Sequence, residues 1–117
     1  MKYLCLIVGS EGAGPAPGSA EFGQMLAEYG AVVQEMREAG ILVDGGPLRD
    51  ESTATTLRVR DGESMITDGP FAEIKEQLWG YFALECSDLD EVLSWVAKIP
   101  TARYGAIEVR PVMEVSR

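Results

Sequence analysis

The sequence contains no histidine. That absence removes Ser-His-Asp and Cys-His catalysis, His-ligated zinc and a haem held by a proximal histidine. Cysteine is nearly absent too: Cys5 and Cys86 both lie in apolar runs. They are too few for a four-cysteine zinc site and read as buried free thiols. Basic residues are scarce, with 10 Lys and Arg against 19 Asp and Glu, a formal charge of −9. Nucleic acid and anionic lipid both attract positive charge, so neither is expected as a partner. No apolar run is long enough to span a bilayer, and the start of the chain lacks the basic, apolar and small-residue tract of a secretory signal. These absences predict a cytoplasmic protein. Any acid–base chemistry has to rest on Asp, Glu, Lys, Tyr or Cys.

What is present is a globular composition. The 117 residues are 46% hydrophobic, enough for one domain over 1–117 with a single core. Residues 2–8 read as a strand that is apolar on both sides, hence central. The loop from Gly9 to Gly18 holds Gly12-Ala13-Gly14, but no Gly-Lys-Ser/Thr follows and Pro15 and Pro17 remove amide donors. It reads as a mobile loop, not a phosphate cradle. A helix is expected from Ser19, its N-cap, to Ala39, with Phe22, Met25, Leu26, Tyr29, Val32, Val33 and Met36 on one stripe and Gly40 as the stop. Gly23 and Gly30 weaken its interior and are taken as marks of close packing.

Further on, Ile41-Leu42-Val43 runs into Asp44-Gly45-Gly46-Pro47, read as a shaped turn. Asp61-Gly62 between alternating segments predicts a hairpin of about 53–60 and 63–67. Leu78 to Cys86 reads as another strand. Ser87 or Asp88 is expected to cap a second helix, Asp88 with Glu91 matching a capping box, and Pro100 to end it. A final strand covers about 106–113. The order gives an α+β fold, a ferredoxin-like split β-α-β sheet with an inserted hairpin and two helices on one face.

Two helices cover only one face. The other mixes Trp79, Tyr81, Arg58, Arg60, Glu85, Glu108 and Arg110, too aromatic for free solvent and too charged for a dry core. A second copy of the chain is the expected cover, which makes the protein a homodimer around a partly polar cleft.

The stretch Asp68-Gly69-Pro70-Phe71, followed by Ala72-Glu73-Ile74-Lys75-Glu76-Gln77, packs charges behind a Gly-Pro turn. Pro70 is expected to push Gly69 into an extended shape and so to fix Asp68. Asp68 is then either a turn cap or a placed carboxylate, able to act as a general base or to hold a ligand cation. Phe71, Glu73, Lys75 and Tyr81 are the accompanying ligand-binding candidates. Arg58 and Arg110 are the anion-binding candidates, unless they neutralise Glu85 and Glu108. Asp44 and Asp68 alone are weak grounds for a cation, so no metal and no cofactor are expected.

The run Asp-Gly-Pro-Phe-Ala-Glu-x-Lys-Glu-Gln, with Tyr81 after it and Ile107-Glu108-Val109-Arg110-Pro111-Val112 near the end, resembles the DGPF-type branch of the YCII-related proteins over nearly the whole chain. The resemblance implies a dimeric α+β barrel. It also departs from the family: the His-Asp pair suggested for other members has no counterpart here, Ile74 stands where the common motif has Thr, and Trp79 where it has Gly. Members are often encoded near alternative sigma factors, and related barrels include isomerases, lactonising enzymes and monooxygenases. The expected function is therefore binding of a small polar or aromatic molecule in an intersubunit cleft, with a regulatory accessory role. The alternatives are a cofactor-independent enzyme with Asp68 as base, or a structural interaction module whose cleft is filled by its own side chains.

Overall fold

Tyr3, Cys5 and Ile7 alternate with Leu4, Leu6 and Val8. In the computed structural model, which describes residues 1–72 and 75–115, they form the central strand β1 (Lys2–Ser10). Around it lie α1 (Ala20–Glu38), β2 (Leu42–Pro47), β3 (Thr55–Arg60), β4 (Glu63–Asp68), β5 (Glu76–Glu85), α2 (Leu89–Val96) and β6 (Ala106–Pro111), with short 3-10 turns at Glu51–Thr53 and Pro100–Arg103. Strands β2, β5, β1 and β6 make one sheet in that order, and every pair is antiparallel. This is the ferredoxin-like α+β arrangement anticipated from the sequence. The shortest extent of the molecule is 19 Å, the thickness of one sheet and one helical layer.

The core lies between those layers. Tyr3, Cys5 and Ile7 of β1 and Phe82 and Leu84 of β5 pack against Val32 and Met36 of α1 and Val92 and Val96 of α2. Met36, Leu84, Val92 and Ile99 are among the fully buried side chains, each contributing about 1.5–3 kcal/mol by leaving water.

Local chemistry sets the helix ends. Ser19 Oγ accepts the Phe22 amide at 3.1 Å, and Gly40 takes φ +73° just past the end of α1. Asp88 Oδ1 accepts the Glu91 amide at 2.8 Å. Glu91 in turn accepts from the Ser87 amide and hydroxyl, so the reciprocal half of the cap is displaced by one residue. Those bonds, the Ser87 hydroxyl first, hold the Glu91 carboxyl below its ordinary range. Along α1, Val32 and Met36 are buried while Leu26, on the same stripe, stays exposed. Gly23 and Gly30 face open space; contrary to expectation, neither marks a close approach within this chain.

Three further expectations change. Asp44-Gly45-Gly46-Pro47 is not a turn but most of β2, paired with β5. Gly45 permits this, because a Cβ there would stand 2.5 Å from the Phe82 ring. Trp79 does not share the uncovered face with Tyr81. A bulge pairs Ile7 with Gly80 and Val8 with Leu78, leaving Trp79 between registers, and the indole turns onto the helix side over Gly9. A Cβ on Gly9 would lie 2.2 Å from that ring. Finally, the hairpin β3–β4 is no part of the main sheet's polar face. It is a separate two-stranded sheet, closed by Asp61 and Gly62 at φ 52° and 79°, the pair of positive values an Asp-Gly hairpin turn requires.

Candidate functional site

The uncovered face of the four-stranded sheet follows from register. Leu4, Leu6 and Val8 run down its centre, each half-buried. Leu6 is opposite Tyr81 on one side and Glu108 on the other; Leu4 is opposite Ala83 and Arg110. Asp44 pairs with Ala83, which brings Asp44 and Tyr81 to the same face. The Tyr81 hydroxyl donates to Asp44 Oδ2 at 3.1 Å, and this bond to a carboxylate raises the phenol above its ordinary range. Asp44 Oδ1 also accepts the Gly45 amide at 2.8 Å, so the carboxylate is held from two sides. Asp44 was read as a weak cation ligand; its oxygens are instead the orienting partner of Tyr81. Arg110 and Glu108 make no ion pair among the described residues. Glu85, a possible partner for the arginines, lies 3.6 Å from the N-terminal ammonium.

The signature segment falls elsewhere. Asp68 ends β4, and its cross-strand neighbour is Thr55. It shares one face of the hairpin with Leu57, Val59 and Ile66, all strongly exposed. Arg58 is opposite Met65 and so points to the other face, where its guanidinium lies 5.7 Å from the centre of the Phe71 ring. Arg58 and Asp68 are therefore not brought together within one chain. Phe71 is 78% exposed. Gly69 adopts φ +106°, a value only glycine reaches easily, not the extended shape expected before proline. Its amide donates to Ala54 O at 2.7 Å, and its carbonyl accepts the Thr56 hydroxyl at 2.9 Å. These bonds fix the bend. The Asp68 carboxylate accepts none among the described residues. Glu73 lies outside the described residues.

Pro70 and Lys75 border a groove of about 670 Å³, together with Ser10, Glu11, Asp50 and Gln77. Lys75 is the one cation among its described lining residues. Asp50 caps the turn beside it, accepting the Ser52 amide at 3.1 Å, a bond that lowers its carboxyl from the ordinary range. Sequence reasoning passed over Asp50; the signal was Asp50-x-Ser52, a short capping pattern. Among the described residues no cluster of three or more His, Cys, Asp or Glu could hold a metal, and no helix is long and apolar enough to cross a membrane.

Comparison with known proteins gives concordant findings. The profile of the YCII-related domain matches residues 1–116. An uncharacterised protein of Rhizobium meliloti (strain 1021) is 36% identical over 113 residues, covering 95% of this chain and 91% of that protein. Among solved structures, 5-chloro-2-hydroxyhydroquinone dehydrochlorinase (TftG) from Burkholderia phenoliruptrix AC1100, in complex with 2,5-dihydroxybenzoquinone, is similar in fold. It aligns with a TM-score of 0.51 at 19% identity, covering 98% of this chain and 96% of that one.

Proposed function

This chain belongs to the YCII-related family, and on that footing we propose that it is a homodimer binding a small polar or aromatic molecule between two facing sheets. One observation carries the reading. Leu4, Leu6 and Val8 occupy the middle of a face that no helix covers, and the oriented Tyr81–Asp44 pair stands directly beside them. Apolar area at the centre with hydrogen-bonding groups around it is the make-up of a ligand chamber or an interface core. Glu108 and Arg110, two residues apart on β6, present both signs of charge. A two-fold copy sets each against its opposite. The apolar face of the hairpin needs cover as well, and it carries Asp68 with it. Only by lying on a partner does Asp68 enter an enclosed volume, so the reading of Asp68 as a general base depends on the same dimer. The likeness to TftG supports the ligand class, since that protein was solved with a small polar ring compound. A binding protein of this kind suits a regulatory accessory role inside the cytoplasm.

The test is mass and ligand together. Light scattering at micromolar concentration should give about twice 12.7 kDa, and Leu6→Lys should give the monomer mass and abolish the thermal shift produced by molecules that bind between the two sheets. A wild-type mass of 12.7 kDa would refute the dimer. A dimer that no small molecule stabilises at millimolar concentration leaves the structural-module reading in its place.

A further inference from the structure

The bulge that turns Trp79 away from the uncovered face gives it another role. On the helix side of the sheet, Trp79, Tyr104, Phe22 and Met25 wall a hollow of about 460 Å³ beneath the Gly12–Pro17 loop. That volume is in the range of small-molecule sites, roughly 300–1,000 Å³. Its aromatic walls are fixed from behind. Gly9 leaves room for the indole, and the Tyr104 ring packs against Gly14, where a Cβ would stand 3.2 Å from the ring. The hydroxyl of Thr101, at the floor, is engaged with that of Tyr29.

The polar end of the hollow consists of Glu11, Asp50 and Gln77. Gln77 Nε2 donates to Glu51 Oε1 at 2.9 Å, which leaves its carbonyl oxygen and one N–H on offer. Asp50 uses Oδ2 on the Ser52 amide and keeps Oδ1. Each of the three groups thus presents at least one acceptor. No Lys or Arg lines the hollow among the described residues. Lys75 borders the adjoining groove, which shares Glu11, Asp50 and Gln77 with the hollow; Arg103 lies 5.6 Å from the Tyr104 ring and is paired with Glu28 at 2.8 Å. An anionic ligand would meet two carboxylates inside the hollow, with Lys75 in the adjoining groove as the one cation among the described lining residues to offset them. An ammonium group supplies three donors to acceptors that lack them and is attracted by the indole and phenol faces.

We propose that this hollow is a second binding site, selective for a small planar aromatic molecule bearing a cationic amine, with the ring on Trp79 and Tyr104 and the amine toward Glu11 and Asp50. The site lies on the opposite side of the sheet from the intersubunit chamber and is complete within one chain. Its test is therefore independent of the dimer.

Three probes on one phenethyl frame separate the contributions: phenethylamine, 2-phenylethanol and 3-phenylpropanoate. In a Trp95→Phe background Trp79 is the only indole, because the chain has two tryptophans. Its fluorescence then reports on this hollow alone. Phenethylamine should quench or shift that emission with an affinity about tenfold or more above that of the acid, with the alcohol between. Glu11→Gln with Asp50→Asn, which keeps the capping acceptor at position 50, should lower the preference for amine over alcohol several-fold without changing thermal stability. The proposal fails if the acid binds as well as the amine, if the double variant keeps the full preference, or if none of the probes perturbs Trp79 at millimolar concentration.

Discussion

At the scale of single residues, the most informative groups are the two thiols and the Tyr81–Asp44 pair. Cys5 and Cys86 are buried and free. Burial pushes each thiol up to about 11, with the neighbouring Cys86 adding to the effect at Cys5 and Glu91 at Cys86. Both should resist a thiol reagent at pH 8 in the native state and react at once in guanidinium. The linkage has a definite sign. A thiol whose folded pKa is raised supports the fold fully below the ordinary value of 9.0 and withdraws that support as pH rises towards about 11. The urea midpoint should therefore hold up to pH 9 and fall between pH 9 and 11, and Cys5→Ala should flatten part of that fall. Tyr81 offers a second check. Its phenol should titrate above the ordinary range, and Asp44→Asn should return it toward that range, read by NMR of labelled tyrosine; no change on that substitution would show that the bond is not formed in solution. The buried free thiols were legible from the apolar runs that hold them; the Tyr81–Asp44 pair was not. The sequence placed Tyr81 on the uncovered face but offered no reason to pair it with a residue 37 positions away, because that contact depends on the β2–β5 register.

Among the secondary-structure elements, what could be read depended on how local the signal was. The caps at Ser19 and Asp88, the stop at Gly40 and the Asp61-Gly62 hairpin all rest on interactions within a few residues, and each formed where the pattern placed it. Trp79 and the β2 segment were misread because their positions depend on a bulge and on a glycine accommodating Phe82, both set by distant partners. Removing either cap, as Ser19→Ala or Asp88→Ala, should cost about 1 kcal/mol, measured as a lowered urea midpoint at unchanged slope. Gly23 and Gly30 invite the reverse experiment. Each lies within α1 with open space about its Cβ position, so alanine should stabilise the protein by about 0.5–1 kcal/mol per site. A loss of stability at either position would mean that the exposed side of α1 contacts another chain.

For the molecule as a whole, the fold was the most legible level, since strand order and helix placement follow from hydrophobic periodicity repeated along the chain. The candidate site was less so. The signature motif was evident, yet its residues divide between two places: Asp68, Arg58 and Phe71 on the hairpin and its connecting loop, Tyr81 and Arg110 on the main sheet. Motif reading assigns residues to a group by their closeness in sequence, whereas the hairpin carries this group away from the body. Ionic strength provides a check at this scale. With a charge of −9 on each chain, two copies repel, so raising salt from low to physiological values should tighten the proposed dimer, seen as a fall in its dissociation constant by sedimentation. A dimer held chiefly by Arg110–Glu108 pairs would show the opposite trend.

The hairpin also leaves the chain where it returns to it. The Gly69 amide touches the Ala54 carbonyl at 2.7 Å, and no rung of the four-stranded ladder involves the fourteen positions from Thr55 to Asp68. Nature or an engineer can thus excise or exchange that limb at a seam already in register. The platform underneath would keep its shape while the appendage, and whatever it recognises, is replaced.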